Sequence, residues 1–290
     1  MEYVTGLGEV LWDMLPGGRK LGGAPSNFAF HAGQFGLDAL AVSAVGTDDL
    51  GAETLSELRS KGLDYIIPRV DFPTGTVGVT LDEDGVPSYS ITEGVAWDNI
   101  PFTPEIAASA AACRCVCFGS LAQRSEASRA TIRSYLAAMP ADSMKILDIN
   151  LRGHYYSREV IDSSLQACNI LKINDEELAV FGRLFSLPVT EVRDRCMTIL
   201  QRWGLMCVVL TCGVGGSYVF SADEMSFFQT PSVMVADTVG AGDSFTGAFA
   251  ASLLHGLSLA DAHRRAVDVS AYVCTQSGAM PPLPERLTRF

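Results

Sequence analysis

Short runs of β-branched and apolar residues recur along the chain, and longer segments with apolar positions every three or four residues separate them. The short runs lie at residues 3–7, 40–45, 115–118, 145–149, 169–173 and 206–211. The segments of helical period lie at residues 26–34, 52–61, 125–138, 175–181, 191–203, 243–254 and 260–275. Apolar strands that alternate with amphipathic helices are typical of an α/β fold, so the pattern predicts a mostly parallel sheet covered by helices.

One segment departs from this alternation. Residues 74–81 and 86–92 are both β-rich, and the turn sequence Asp-Glu-Asp-Gly at 82–85 separates them, which predicts a β-hairpin. With residues 10–19, the region 74–92 is expected to form a small β-lid, because α/β enzymes bind ligands at the carboxyl ends of their strands. The alternative to a lid is that the hairpin of residues 74–92 has no role in ligand binding. No repeat or linker divides the chain, so we predict a single domain of residues 1–290.

The charge balance narrows the classes of partner. The chain has 21 Lys and Arg against 33 Asp and Glu, a formal charge of −12. Such a charge repels polyanions, so we expect neither nucleic acid nor a membrane as a partner. The N-terminus lacks the basic and apolar regions of a signal peptide, and the eight cysteines are expected to be reduced core residues of a cytoplasmic protein. Cys113, Cys115 and Cys117 alternate, which predicts that their side chains share one face of a strand.

A glycine-rich segment carries the clearest chemical signal. Residues 237–247 read Asp-Thr-Val-Gly-Ala-Gly-Asp-Ser-Phe-Thr-Gly. Gly240, Ala241 and Gly242 leave backbone N–H groups uncovered at the start of a predicted helix, and a helix N-terminus attracts anions. Asp243 is ordinarily explained as an N-cap. Beside a bound phosphate, however, its carboxylate would serve to take the proton of an attacking hydroxyl.

Two segments match the signatures of one family. Asp-Thr-Val-Gly-Ala-Gly-Asp-Ser-Phe at 237–245 resembles the C-terminal signature of the ribokinase-like (PfkB) carbohydrate kinases, and Gly-Gly-Ala-Pro-Ser-Asn-Phe-Ala at 22–29 resembles their N-terminal sugar-binding signature. The resemblance covers nearly the whole chain. It implies a three-layer α/β/α sandwich with a mostly parallel central sheet and a small β-sheet lid. The lid strands of relatives often pair between subunits, which makes a homodimer through the lid plausible.

The resemblance implies roles on the sugar side of the site. Asp243 would be the catalytic base, and the backbone of Gly240, Ala241 and Gly242 would hold the transferred phosphoryl group. A carboxylate, a glycine and an amide of the family bind the sugar, and the matching positions here are Asp13, Gly23 and Asn27. Asp148, Asn150 and Arg152 alternate at a predicted strand end, so we expect them on one face, with Arg152 at the phosphate or the substrate.

The resemblance also implies roles on the nucleotide side. Asn174 and Glu177 match an element that serves Mg²⁺ and the phosphates of ATP, largely through water, although a helix capping box explains the same pair equally well. Thr211, Gly213 and Gly216 match the nucleotide loop, for which an ordinary turn is the alternative. The resemblance also implies a monovalent cation such as K⁺, which Asp237 allows but does not require. Many relatives have an Asn near the adenine, whereas this chain has Val267 at that position, followed by Asp268.

These residues predict an ATP-dependent sugar kinase that acts on a primary hydroxyl. No Gly-Lys-Ser or Gly-Lys-Thr is present, and Gly6 and Gly8 lack the third glycine of a dinucleotide fingerprint, which argues against P-loop and dehydrogenase functions. Residues 8–13, 22–27 and 94–98 resemble fructokinases more than ribokinases or adenosine kinases. D-fructose is therefore the expected sugar. The alternatives are ribose, 2-keto-3-deoxygluconate, whose acid would need Arg152 or Arg124, and a non-catalytic sugar-binding role.

Overall fold

A computed structural model describes residues 3–15, 17–81, 87–188 and 191–289, without the side chains of 79–81 and 87–89. In chain order its strands are β1 (Tyr3–Leu7), β2 (Leu11–Leu15), β3 (Gly18–Gly22), β4 (Asp38–Val42), β5 (Val45–Gly46), β6 (Asp64–Ile66), β7 (Arg69–Val70), β8 (Gly75–Leu81), β9 (Pro87–Ile91), β10 (Cys113–Phe118), β11 (Met144–Asp148), β12 (Ile170–Asn174), β13 (Cys207–Thr211), β14 (Ser217–Ser221) and β15 (Met225–Phe228). The α-helices are α1 (Ala24–Gly33), α2 (Asp49–Ser60), α3 (Pro104–Ala111), α4 (Glu126–Ala138), α5 (Arg158–Ala167), α6 (Asp175–Leu184), α7 (Val192–Trp203), α8 (Ala241–Leu254), α9 (Leu259–Cys274) and α10 (Glu285–Thr288).

The central sheet is mostly parallel, as predicted. Its nine strands run in the order β15-β14-β13-β12-β11-β10-β1-β4-β6. Only β14 pairs antiparallel with its neighbours, β13 and β15. The carboxyl ends of the parallel strands therefore lie along one edge, where α/β folds bind their ligands.

Helices cover both faces of this sheet and give the predicted three layers. One core cluster contains Phe118 and Leu171 from the sheet and buried residues from α3 to α7. The other contains Val4 and Val209 from the sheet and buried residues from α1, α2, α8 and α9. Each face of each parallel strand is thus apolar, which explains the continuous apolar runs in the sequence.

The predicted hairpin belongs to a separate four-stranded sheet with the order β3-β2-β8-β9. β8 pairs antiparallel with β9, and β2 joins them by a parallel pairing with β8. The predicted turn at 82–85 lies outside the described residues. Trp12 of β2 is buried, and its indole N–H donates to the Thr54 hydroxyl of α2 at 2.9 Å, which holds this small sheet against the main body.

The prediction that three alternating cysteines share one face is wrong. Cys113 packs in the core cluster of α3 to α7, whereas Cys115 and Cys117 pack in the cluster of α1, α2, α8 and α9. The cause is an irregularity in β10, where Tyr3 is opposite Cys113 but Val4 is opposite Cys115. The extra residue, Arg114, moves the following side chains to the other face, as a β-bulge does. All eight cysteines are free thiols.

Among the described residues, no helix combines the length and the apolar character needed to span a bilayer.

Candidate active site

The N-terminus of α8 lies at the carboxyl edge of the central sheet and carries the predicted anion-binding segment. Gly240 is the N-cap, with a left-handed φ of 78°, and no side chain caps the helix. A Cβ at Gly240 would lie 2.7 Å from the Ala279 backbone, so the tight approach of the two loops requires glycine. Since no side chain satisfies the first-turn N–H groups of α8, an anion can do so.

Asp243 lies in the first turn of α8, and the sugar-binding signature reaches it. Asn27 of α1 donates its side-chain N–H to Asp243 Oδ2 at 2.7 Å. The structure therefore joins two signatures that are far apart in the sequence. Burial, together with the negative charge of Asp148, raises the pKa of Asp243 to about 6, although Asn27 and nearby cations oppose this shift.

A buried ion pair lies beside the same helix. Lys172 of β12 places its ammonium 3.1 Å from Asp148 Oδ1 at the end of β11, and both side chains are buried. A Cβ at Gly242 would lie only 3.0 Å from Lys172 Nζ, so the ammonium abuts the anion-binding segment. Burial alone would lower the pKa of Lys172, but Asp148, Glu177 and Asp243 raise it above its usual value, and the side chain stays charged.

Asn174 and Glu177 form the capping box of α6. The Asn174 side chain accepts from the Glu177 amide at 2.8 Å, and Glu177 Oε2 accepts from the Asn174 amide at 2.9 Å. Glu177 Oε1 accepts from the Leu151 amide at 2.9 Å. Burial raises the pKa of Glu177, and Lys172 opposes that shift. The capping explanation is confirmed, and a role in binding Mg²⁺ or ATP stays a prediction.

Asp13 lies on β2 of the small sheet, and its side chain is partly buried. It is opposite Lys20 in the β2–β3 pairing, and burial raises the pKa of its carboxyl group while Lys20 lowers it. No hydrogen bond between described residues ends on the Asp13 carboxylate. The packing of the chain itself requires a glycine at position 23, because a Cβ on Gly23 would overlap the Glu9 carbonyl oxygen.

Asp237 is already supplied with donors. Its carboxylate accepts from the Val239 amide at 3.1 Å and from the Gly278 amide at 3.1 Å. The Lys20 ammonium, from β3 of the small sheet, lies 3.4 Å from Asp237 Oδ2 and 3.3 Å from the Ser277 hydroxyl. These donors lower the pKa of Asp237 although burial opposes them. A carboxylate that a lysine already neutralises is a poor fit for a monovalent cation.

A cavity of about 510 Å³ opens next to the anion-binding segment. Thr211, Gly213 and Gly216, the three predicted nucleotide-loop residues, line one side of it. Ala241, Gly242, Phe245, Val267, Ser270, Ala271 and Cys274, from α8 and α9, line another. Val267 thus faces the cavity, as the sequence comparison with the family implied, whereas Asp268 is exposed and lines a different depression.

Asp148, Asn150 and Arg152 do not share one face through strand alternation as expected, although Asp148 and Arg152 both act electrostatically on Asp243. β11 ends at Asp148, and Asn150 has a left-handed φ of 41°, so the alternation of a strand does not continue. Arg152 is exposed, and its guanidinium donates to the Leu151 carbonyl at 3.1 Å. It remains close enough to lower the pKa of Asp243. Arg124, by contrast, forms a buried two-point ion pair with Asp98 at 2.7 and 2.8 Å.

Three charged residues of the site were not predicted: Glu9, Lys20 and Lys172. The sequence did contain a signal for two of them, since Lys172 lies within the apolar run of β12 and Glu9 lies between β1 and β2. An unpaired charge is costly to bury in such a run, so a charged residue there indicates a partner or a ligand. Lys20 gave no such signal, since it lies on a half-exposed strand. Within the described residues, no three His, Cys, Asp or Glu side chains are arranged to hold a metal ion among themselves.

Comparisons with known proteins agree with this geometry. The chain is 27% identical over 276 residues to the ATP-dependent 6-phosphofructokinase of Thermoanaerobacterium thermosaccharolyticum, covering 92% of this chain and 83% of that protein. It is 29% identical over 297 residues to the fructokinase of Klebsiella pneumoniae, covering 96% and 95%. The fold matches the crystal structure of a Xylella fastidiosa fructokinase with bound ATP at a TM-score of 0.85 and 20% identity, covering 97% and 95%. The model of the pfkB family carbohydrate kinases matches residues 17–286, and the chain therefore belongs to that family.

Proposed function

We propose that this protein transfers the γ-phosphoryl group of ATP to a primary hydroxyl of a free sugar, with D-fructose as the acceptor. The observation that carries the proposal is the position of Asp243. Its carboxylate lies in the first turn of the uncapped helix α8 and is held by the Asn27 amide at 2.7 Å. A base and an anion site are thereby adjacent, as phosphoryl transfer to a hydroxyl requires.

In the proposed reaction Asp243 accepts the proton of the attacking hydroxyl. Asn27 orients the carboxylate, and the Asp13 carboxylate holds further hydroxyls of the sugar. The amides at the start of α8 bind the transferred group, and Gly242 leaves room for the Lys172 ammonium beside it. Lys172, next to Gly242, stabilises the negative charge that this group carries. We therefore assign Lys172 to the anion-binding machinery together with Gly240, Ala241 and Gly242.

The cavity beside α8 suits a nucleotide as the phosphoryl donor. Ala241 and Gly242 line it together with the apolar side chains of Phe245, Val267 and Ala271. An aromatic base can pack against such a wall, and the phosphates would then extend towards the anion-binding segment. Thr211, Gly213 and Gly216 are assigned to nucleotide binding on the same geometry.

The donor set also fits Mg²⁺ bound mainly through phosphates and water. Mg²⁺ keeps several waters and needs few protein carboxylates, so the absence of a three-ligand cluster among the described residues does not conflict with it. Glu177, whose two oxygens accept backbone N–H groups, would act through water, and Asn174 would orient it. When bound, Mg²⁺ supplies positive charge to the phosphate oxygens. For K⁺ at Asp237 the fit is poor, because Lys20 already supplies the charge there.

Besides Lys172, three basic residues lie near the cleft, and two of them support a neutral sugar. Lys20 pairs with Asp237 and Arg124 pairs with Asp98, so neither is available to an anionic substituent. Arg152 supports a second candidate substrate, a sugar acid such as 2-keto-3-deoxygluconate. Its guanidinium is exposed, and within the described part of the chain it forms no ion pair.

The sheet of β2, β3, β8 and β9 would cover the bound sugar as a lid within one domain. β9 is one of its two outer strands, and pairing with a second copy would cover the edge of β9 that no described strand covers. We therefore keep a homodimer through the lid as part of the proposal.

The substrate assignment is tested by measuring ADP release with ATP and Mg²⁺ across fructose, ribose, fructose 6-phosphate and 2-keto-3-deoxygluconate. We expect the highest kcat/KM with fructose. If the wild type has a higher kcat/KM with the sugar acid than with fructose, and Arg152→Gln abolishes this preference, the substrate assignment moves to the sugar acid. Sugar binding by calorimetry without turnover of any acceptor would identify a non-catalytic relative.

A further inference from the structure

Glu9 lies in the short connection between β1 and β2, at the carboxyl edge of the central sheet. Its side chain is only 3% exposed. Its own backbone amide donates to the carboxyl group, but Oε2 has no hydrogen-bond partner among the described residues. An unpaired carboxylate oxygen in such a place costs free energy unless a ligand completes it.

The backbone around Glu9 is fixed against the start of α1. A Cβ at Gly8 would lie 2.9 Å from the Pro25 side chain, and a Cβ at Gly23 would overlap the Glu9 carbonyl oxygen. Both glycines therefore let the β1–β2 connection pack directly on α1. This helix also carries Asn27, so Glu9 and Asn27 keep a fixed relation to each other and to Asp243.

The Glu9 carboxyl group belongs electrostatically to the catalytic cluster. The charges that act on it are those of Asp243 and Asp148, which are negative, and of Arg152, which is positive. Asn27 provides a second unpartnered acceptor, because its side-chain N–H is used by Asp243 while its Oδ1 is buried with no partner in the described residues. Two buried acceptors without donors in the described residues are thus associated with the proposed base, Asn27 through its hydrogen bond to Asp243 and Glu9 through its electrostatic interaction with Asp243.

We propose that Glu9 is a substrate-binding residue whose Oε2 hydrogen-bonds a sugar hydroxyl other than the one that is phosphorylated, with Asn27 Oδ1 accepting from the same sugar. This inference rests on the proposed function and specifies which side chains select the sugar. A hydroxyl suits Glu9 because it can donate to the carboxylate and accept from the carboxylic acid. Burial raises the pKa of Glu9 to about 7, so both forms occur near neutral pH.

This arrangement makes Glu9 a specificity determinant. A site with a buried acceptor discriminates strongly against an analogue that lacks the matching hydroxyl, because the acceptor is then left unpaired. Removing the acceptor should remove that discrimination. The loss of kcat/KM caused by removing the sugar hydroxyl and the loss caused by removing the Glu9 carboxylate therefore should not add. This non-additivity distinguishes a direct contact from a general effect on the fold.

The test uses the full-length chain as wild type, Glu9→Gln and Glu9→Ala, with Glu105→Gln, an exposed glutamate of α3, as the control. For the sugar that the substrate panel selects, kcat/KM is measured with the parent sugar and with each monodeoxy analogue that keeps the reacting hydroxyl. Calorimetry without ATP gives the sugar affinity, and thermal unfolding checks the fold. The KM for ATP is measured in parallel.

We expect the wild type to lose at least about 10-fold in kcat/KM with one analogue, the loss typical of an unpaired buried polar group. With the parent sugar, Glu9→Ala should have a kcat/KM lower than that of the wild type by a similar factor, and changing to that analogue should lower it little further. Glu105→Gln should have the same kcat/KM values as the wild type. The KM for ATP should not change. Equal losses with the parent sugar and all analogues would overturn the contact, as would an effect on the KM for ATP alone.

Failure of the proposed function gives a different result. If the wild type binds sugar without phosphorylating it, the kinase proposal fails, and the same comparison of calorimetric affinities still decides the role of Glu9. If Glu9→Ala unfolds, Glu9→Gln, which keeps the volume but is a weaker acceptor and a permanent donor, serves in its place. Unchanged affinity of Glu9→Gln for every analogue would contradict the inference.

Discussion

Asp243 is surrounded by charges that set the pH range in which it can act as a base. Burial and the negative charge of Asp148 raise its pKa to about 6, and Asn27, Lys172 and Arg152 oppose them. A base must be ionised to accept a proton, so it is active above its pKa and inactive below it. The direction of the pKa shift therefore has a kinetic consequence.

We predict that kcat/KM for the sugar falls as the pH is lowered through about 6, the pKa of Asp243 in the free enzyme. The expected dependence is one proton per active site, measured by ADP release at sugar concentrations well below KM. Arg152→Gln removes a cation that stabilises the ionised form of Asp243, so the fall in activity should occur at a higher pH in this variant. A limb that lies near the ordinary carboxyl pKa of about 4 would contradict the assigned environment.

The pair of Lys172 and Asp148 illustrates a second property of single residues in this site. Both side chains are buried and 3.1 Å apart, and the pair joins the end of β11 to the middle of the adjacent strand β12. Removing one partner of such a pair leaves the other as an uncompensated buried charge.

We predict that Lys172→Met lowers the free energy of unfolding by about 3–5 kcal/mol, the cost typical of breaking a buried pair. Urea denaturation measures this change. The double variant Asp148→Asn with Lys172→Met should lose less than the sum of the single variants, because Asp148 is then not left as an uncompensated charge. Strict additivity would show that the two groups do not interact.

At the scale of elements, β3 links the small sheet to the loop around Asp237. Lys20 crosses the cleft and reaches the Asp237 carboxylate and the Ser277 hydroxyl. The lysine thus provides a positive charge next to Asp237 and a tether between the small sheet and the main body.

We predict that activity is the same in potassium and in large organic cations such as tetramethylammonium at matched ionic strength. Lys20→Met should be less active, and K⁺ should restore part of its rate, because the vacated carboxylate can then hold the ion. Thermal unfolding of Lys20→Met with and without KCl gives a second measure of ion binding. A wild-type enzyme that depends on K⁺ would contradict the assignment of Lys20.

The elements α8 and α9 form the wall of the proposed base pocket. Among the described lining residues, Phe245, Val267 and Ala271 are apolar, and no Asn or Gln side chain lines this cavity. Apolar contact holds a purine ring but reads few of its polar edges.

We predict weak discrimination between ATP and GTP, with kcat/KM values that differ by less than about 10-fold, since about 1–3 kcal/mol is what shape alone provides in an apolar pocket. Steady-state kinetics with both nucleotides tests this. Val267→Asn should increase the preference for one of them by adding a polar partner. Strong selectivity in the wild type would indicate backbone readout of the base.

At the scale of the whole molecule, the sequence predicts best what depends on neighbouring residues. β1 lies where the pattern placed it, at Tyr3–Leu7, and α8 begins two residues before the predicted start. The uncapped helix start at 240–243 was predictable because its geometry is local. The same holds for the capping box of Asn174 and Glu177.

What the sequence could not supply are contacts between distant segments. The pairing of Lys172 with Asp148 and of Lys20 with Asp237 depends on the strand order and on how the small sheet folds over the main one. The bulge at Arg114 and the left-handed Asn150 broke alternation patterns because each adds a local change of backbone geometry. α3 and α5 were not predicted, and α3, rich in Ala and Ser, shows a weak apolar stripe.

The proposal for the whole molecule is phosphoryl transfer with Asp243 as the base, and Asp243→Asn tests it most directly. The amide keeps the size of the side chain but cannot accept the hydroxyl proton. We predict that kcat falls by at least about 100-fold, the lower end of what general-base catalysis contributes, while calorimetry shows nearly unchanged binding of sugar and ATP. Normal turnover at saturation, with weakened sugar binding, would contradict the account.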